Sequence, residues 1–107
     1  MPLATVPQPR LMPVSADVRA LGMRKGDLLA VVPLDEFRGD GVYVITIEGT
    51  PTPVRCTINR QRLLDVESLY RGGGSATMSR EQFYDLLLGQ VLAACKVLDH
   101  TLLAPTR

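Results

Sequence analysis

The chain has no tryptophan, one histidine, two cysteines and only two lysines among 107 residues. Each shortage removes a class of function. His100 stands alone, and Cys56 and Cys95 form no CxxC pair, so no metal-ligand spacing and no disulfide scaffold is expected. Both thiols lie on apolar stretches and read as buried and free. No apolar run approaches the roughly 20 residues that a membrane-spanning helix needs. The opening MPLATVPQPRLMP has four prolines and lacks the continuous apolar segment of a secretory signal. A cytoplasmic, membrane-free protein is therefore the expectation. A formal net charge of +1 provides no strong pull on nucleic acid. Tyr43, Tyr70, Phe83 and Tyr84 are too sparse, and too little interleaved with arginine, to stack successive bases.

What is present fits one small soluble domain with a single core: 46% hydrophobic and 21% charged residues, in a chain long enough to bury most of its apolar surface. Pro2, Pro7, Pro9 and Pro13 disfavour helix, so residues 1–13 read as an extended or disordered arm. Leu28–Val32, LLAVV, reads as a short buried strand ended by Pro33. After the Asp40-Gly41 turn, VYVITIEG is rich in β-branched and aromatic residues and reads as a strand that ends where Glu48-Gly49 begins the next turn. VRCTI (54–58) and LLDVE (63–67) form an expected hairpin turning near Asn59 to Gln61. Arg71 to Ser75, with its three glycines, reads as a surface loop. It lacks the GxxxxGK[ST] pattern of a phosphate cradle.

Ser79 followed by Gln82 matches a capping box, and Phe83, Leu86 and Leu87 then share one helical face. Gly89 interrupts that period, and QVLAACKVL reads as a long final strand, with a continuing helix as its competitor. The expected fold class is mostly β, several short strands with one short helix, over residues 14–99. Residues 100–107 form a C-terminal tail that holds His100, a solvated residue rather than a ligand or base.

Three segments carry a resemblance. Val14 to Val31, VSADVRALGMRKGDLLAV, is similar to the segment around the nucleophile of the LexA-type serine/lysine peptidase domain, shared by LexA, UmuD and phage repressors. RGDGVYVITIEG (38–49) resembles the turn and strand that lead to that family's catalytic lysine. LLGQVLAACKVL (87–98) resembles its last strand. In this order and spacing they cover about 85 residues, Val14 to Leu98. The resemblance implies a LexA C-terminal-like β-fold.

The chemistry of that family needs a serine nucleophile and a neutral lysine that takes its proton. The ungapped register places Asp17 at the serine position. It places Val54 at the lysine position, or Arg55 if a turn around Thr50 to Pro53 holds one extra residue. Arginine stays protonated and cannot act as the base. Lys25 and Lys96 fall elsewhere, so the dyad is absent and no enzyme is expected. An Asp17–Arg55 salt bridge in place of the dyad is one expectation, and two exposed charges that never meet is the other. The sixteen residues before Asp17 contain no glycine, and their prolines exclude a helix-turn-helix, so neither a self-cleavage site nor a DNA-binding half is expected there.

These features point to a catalytically inactive LexA-like regulatory, dimerisation or partner-binding module, in phage or stress-response transcription control, with no cofactor and no metal. The resemblance implies a homodimer through Leu88, Val91, Leu92, Ala94, Val97 and Leu98, with the Leu102-Leu103 tail as a further contact. A repressor or another regulator is the expected protein partner. The alternatives are a serine hydrolase with a rearranged site using Ser15, for which the sequence offers no base, and a structural subunit of a larger assembly. Ser15, Ser68, Ser75 and Ser79 otherwise read as turn or cap residues, and Asp35-Glu36 as a solvated loop.

Overall fold

A computed structural model describes residues 8–98. The fold is mostly β, with seven strands in one antiparallel sheet and one short helix. The strands are β1 (Arg10–Pro13), β2 (Leu28–Val32), β3 (Gly41–Ile47), β4 (Thr50–Ile58), β5 (Leu64–Ser68), β6 (Ser75–Met78) and β7 (Leu87–Cys95). Helix α1 spans Arg80–Leu86, and a single 3-10 turn spans Arg19–Leu21. Across the sheet the order is β1-β2-β7-β3-β4-β5-β6. The last strand therefore lies inside the sheet, and β1 and β6 are its two edges.

The strands expected at 28–32, in VYVITIEG (42–49), at 54–58 and at 63–67 are present as β2, β3, the second part of β4 and β5, and the expected final strand is β7. Three pieces differ from the sequence reading, one of them β6, where no strand is expected from the sequence. Arg10–Pro13, the end of the proline-rich stretch, pairs with Leu28–Val31 as an edge strand, where proline at the last position costs no ladder bond. Residues 1–7, and the tail from residue 99 with His100 and Leu102-Leu103, lie outside the described residues.

Thr50 to Pro53, expected as part of a turn, is the first part of β4. The turn itself is the two-residue Glu48-Gly49 connection, with φ of 50° and 80°, the left-handed geometry that a tight hairpin requires and glycine readily supplies. Pairing from Ile47 and Thr50 sets the ladder so that Pro51 and Pro53 sit opposite Thr46 and Val44 in pairs that exchange no hydrogen bonds. Their missing N–H groups would have pointed away from β3, beyond the end of β5. Pro53 still contributes its carbonyl, which accepts from Leu69 N at 2.9 Å.

The β4–β5 turn is built on Asn59. Its Oδ1 accepts from the N–H groups of Gln61 and Leu63, at 2.9 and 3.1 Å, and Arg62 takes a left-handed φ of 63°. At α1 the capping box is complete. Ser79 Oγ accepts from Gln82 N, and Gln82 Oε1 accepts from Ser79 N.

Alternation along β3 divides the core between two faces, since successive residues of a strand point to opposite sides. Tyr43 and Ile45 join Val54, Cys56, Leu64, Val66 and Phe83 in one cluster. Val44 joins Val14, Val18, Met23, Leu29 and Val31 in another. Phe83 of α1 meets Tyr43 edge-on, with ring centroids 5.5 Å apart. Phe37, partly buried beneath the Arg80 guanidinium, stacks on Tyr43. Burial raises the Tyr43 phenol above its ordinary pKa, against the opposing effect of the hydrogen bond it accepts from Arg38 N.

Candidate functional site

The loop between β1 and β2 carries the position that the family resemblance assigns to the nucleophile. Val14 N donates to Asp27 O and Gly26 N to Val14 O, both at 2.9 Å, which closes the base of the loop. Val18 and Met23 bond each other in both directions across its tip, around the 3-10 turn. Their buried side chains anchor this small hairpin in the second core cluster.

Asp17 sits exposed on that loop, and its Oδ1 accepts from the Lys25 backbone N–H at 2.8 Å. The carboxylate therefore satisfies a turn. Asp27, buried and ten residues on, has the same kind of role at greater depth. Its Oδ2 accepts from Arg24 N and its Oδ1 from Val97 N, at 2.9 and 3.0 Å.

Asp17 lines a shallow cleft of about 470 Å³, shared with Arg19, Ala20, Glu67, Tyr70 and Arg71. Ser68 and Leu69 complete its wall. Ser68 stands directly across the β4–β5 ladder from Val54. Val54 itself is fully buried in the first core cluster. The β3–β4 ladder runs from Ile47–Thr50 to Gly41–Cys56 without a register shift. The connection between these strands is the two residues Glu48-Gly49.

Arg55 alternates to the other face, where it is exposed opposite Glu67 and lines a separate polar hollow with Thr57, Asp65, Ser75 and Thr77. The expected Asp17–Arg55 salt bridge does not form. Among the described residues the one ion pair is Glu36–Arg38, at 3.3 Å between exposed side chains. Asp17 is held by a backbone N–H, and strand alternation turns Arg55 away from the buried side of Val54.

Ser15 N–H donates to the Tyr70 phenol oxygen at 2.9 Å, and its hydroxyl donates to the same oxygen at 3.2 Å. Tyr70 is thus the group that meets Ser15, a contact across 55 residues that nothing in the local sequence announces. Among the described residues the Tyr70 phenol oxygen is the partner of the Ser15 hydroxyl, and no lysine amine or carboxylate bonds it. The described residues also contain no group of three or more His, Cys, Asp or Glu side chains placed to hold a metal. None of their helices is long and apolar enough to cross a membrane.

The cysteines divide. Cys56 is buried and free, and burial with the nearby Asp40 and Asp65 charges pushes its thiol up to about 11. Cys95 is free but exposed, contrary to the expectation of two buried thiols. It ends β7 opposite Leu28, where the strand has passed beyond both core clusters.

The residues expected at a dimer interface are also spread over different environments. Leu88, Leu92 and Leu98 are 43%, 60% and 97% exposed, and Ala94 is exposed as well. Val91 packs against the second core cluster. Val97 is partly buried and tied by its backbone to Asp27. β7 pairs with β3 over Leu87–Gln90 and with β2 over Gln90–Cys95, so among the described residues the backbone edge of Val91–Cys95 that faces away from β2 has no strand partner.

No family model, curated protein or solved structure matches the chain.

Proposed function

We propose that this chain is a catalytically inactive LexA-like domain that acts as a regulatory, dimerisation or partner-binding module. The observation that carries the reading is the pair of residues in the dyad register. Asp17 caps the Lys25 backbone, and Val54 is sealed in the apolar core. A carboxylate committed to a turn is not the family nucleophile, and a valine has no proton to move. The Asp17 loop shares its cleft with Glu67 to Arg71, and no lysine lines it.

In this reading the domain is used for its surfaces. Leu88 and Leu92 stand exposed on a central strand, where a second copy or the equivalent strand of a repressor domain would cover them. Mixed dimers with an active repressor would then withdraw that repressor from its own pairing. The direct test is sedimentation velocity of the purified chain from low to high micromolar concentration, with intact-mass measurement of the same sample after prolonged incubation. The reading expects a concentration-dependent dimer and an unchanged mass. A monomer throughout removes the dimer, and a discrete self-cleavage product removes the inactive domain.

The Ser15–Tyr70 contact favours one second reading, a hydrolase with a relocated serine. A serine-reactive probe separates it from the first.

A further inference from the structure

The two edges of the sheet are unlike. β1 carries Arg10 and ends in Pro13, with Pro9 just before it, and charge and proline are the usual means by which an edge resists another strand. β6 is Ser75-Ala76-Thr77-Met78, with neither. Among the described residues its only strand partner is β5, so one whole side of its backbone has no strand against it.

The ladder settles which groups face outward. Ser68 N donates to Gly74 O at 2.9 Å, so the pairs Val66–Ala76 and Leu64–Met78 exchange hydrogen bonds with β5, and Glu67–Ser75 and Asp65–Thr77 do not. Ser75 and Thr77 therefore direct their N–H and C=O groups to the open side, in the spacing a further antiparallel strand accepts.

The two faces beside that edge differ in chemistry. On one, Ala76 and Met78 border an apolar cleft of about 360 Å³ walled by Ile45, Ile47, Val66 and Leu86. On the other, Ser75 and Thr77 stand across from Glu67 and Asp65, two carboxylates on the strand next to the edge, with the single guanidinium of Arg55 one strand further in.

We propose that β6 is a docking edge for an extended segment of a partner protein, added as an eighth strand with aliphatic residues alternating with basic ones. Its aliphatic side chains lie on the cleft face beside Ala76 and Met78, and its basic side chains face Asp65 and Glu67. Backbone bonds to Ser75 and Thr77 supply affinity, and the alternating side chains supply selectivity. This rests on the sheet and not on the family resemblance, so it stands or falls separately from the reading of the Asp17 cleft.

The test is a fluorescence anisotropy titration of the full chain against a labelled Thr-Val-Lys-Val-Lys-Val-Thr peptide, with a second peptide carrying Glu in place of Lys. Saturable binding of the lysine peptide, at least about tenfold tighter than the glutamate peptide, is expected. Amide exchange at Ser75 and Thr77 should slow on adding it. Thr77→Pro removes one outward donor and no backbone bond to β5, and should abolish binding; Thr77→Val loses the same hydroxyl bond to Asp65 but keeps the N–H, and should retain it. Absence of saturable binding at millimolar peptide overturns the proposal. So does binding that leaves the Ser75 and Thr77 amides unprotected. So does concentration-dependent protection of those amides in the peptide-free chain, which would assign the edge to a second copy.

Discussion

Asp17 and Lys25 are joined by a 2.8 Å hydrogen bond from the lysine backbone N–H to the aspartate carboxylate. The bond ties the two arms of the loop that, in the resembled family, holds the nucleophile. Replacing Asp17 by alanine should cost about 1 kcal/mol of unfolding free energy in urea, the worth of a charged acceptor discounted for exposure. Replacing it by serine should cost a similar amount and create no hydrolase, because no lysine lines the cleft beside it. A serine variant that cleaves itself would show that a base exists that the geometry does not place.

Asp27 is the deeper counterpart. It is buried, and its two oxygens receive N–H groups from Arg24 and from Val97, seventy residues away, so it fastens the end of β7 to the turn before β2. Asp27→Ala leaves both donors without this acceptor and should lose about 2–4 kcal/mol in urea unfolding, at the upper end for a buried charged acceptor. Amide exchange at Val97 should accelerate in the same variant. A loss below about 0.5 kcal/mol, the range of ordinary surface substitutions, would mean the fastening is not structural.

Gly89 lies where β7 passes between its neighbours. A Cβ there would collide with Val32 O and fall 2.7 Å from Val31 Cγ1, and the first of these is backbone that cannot move without shifting a strand. Gly89→Ala should therefore destabilise by about 1–3 kcal/mol or more through overpacking, measured as a drop in Tm. Gly72→Ala, in the exposed loop, serves as a comparison with no such clash, although its φ of 77° brings a strain of its own.

The two thiols should separate cleanly. At pH 8 a disulfide reagent such as DTNB is expected to modify Cys95 rapidly and Cys56 only after unfolding, because the thiolate is the nucleophile and Cys56 is both buried and pushed up to about 11. The sign of the pH effect follows. Between its ordinary value of 9.0 and about 11 the folded chain keeps a proton on Cys56 that the unfolded chain releases. That contribution to stability is whole below pH 9 and is lost as the pH rises towards 11. Cys56→Ala should flatten this part of the pH profile. Rapid modification of both thiols in the native chain would contradict the burial.

Much of the sheet was legible because its strands obey simple rules. VYVITI is dense in β-branched residues, Glu48-Gly49 is a hairpin turn, and Ser79 with Gln82 is a helix start. β6 was hidden because Ser-Ala-Thr-Met is short and mostly exposed, and so carries no hydrophobic alternation. The start of β4 was hidden by Pro51 and Pro53, whose tolerance depends on pairing parity, and parity is invisible until the turn is placed. At the site, Asp17 and Val54 were singled out by the family resemblance alone, and the sheet shows where they lie, one on an exposed loop and one in the core. The Ser15–Tyr70 contact and the outward turn of Arg55 could not be read from the sequence, since both are set by how distant segments pack. The exposure of Cys95 was missed for a related reason: an apolar stretch need not stay against the core to its last residue.

Fluorophosphonate labelling of the native chain, followed by intact mass and peptide mapping, tests the central claim most directly. An inactive domain predicts no adduct on any serine. An adduct on Ser15 that disappears on denaturation or in Ser15→Ala would contradict it and make the chain a serine hydrolase whose base the cleft around Tyr70 must supply.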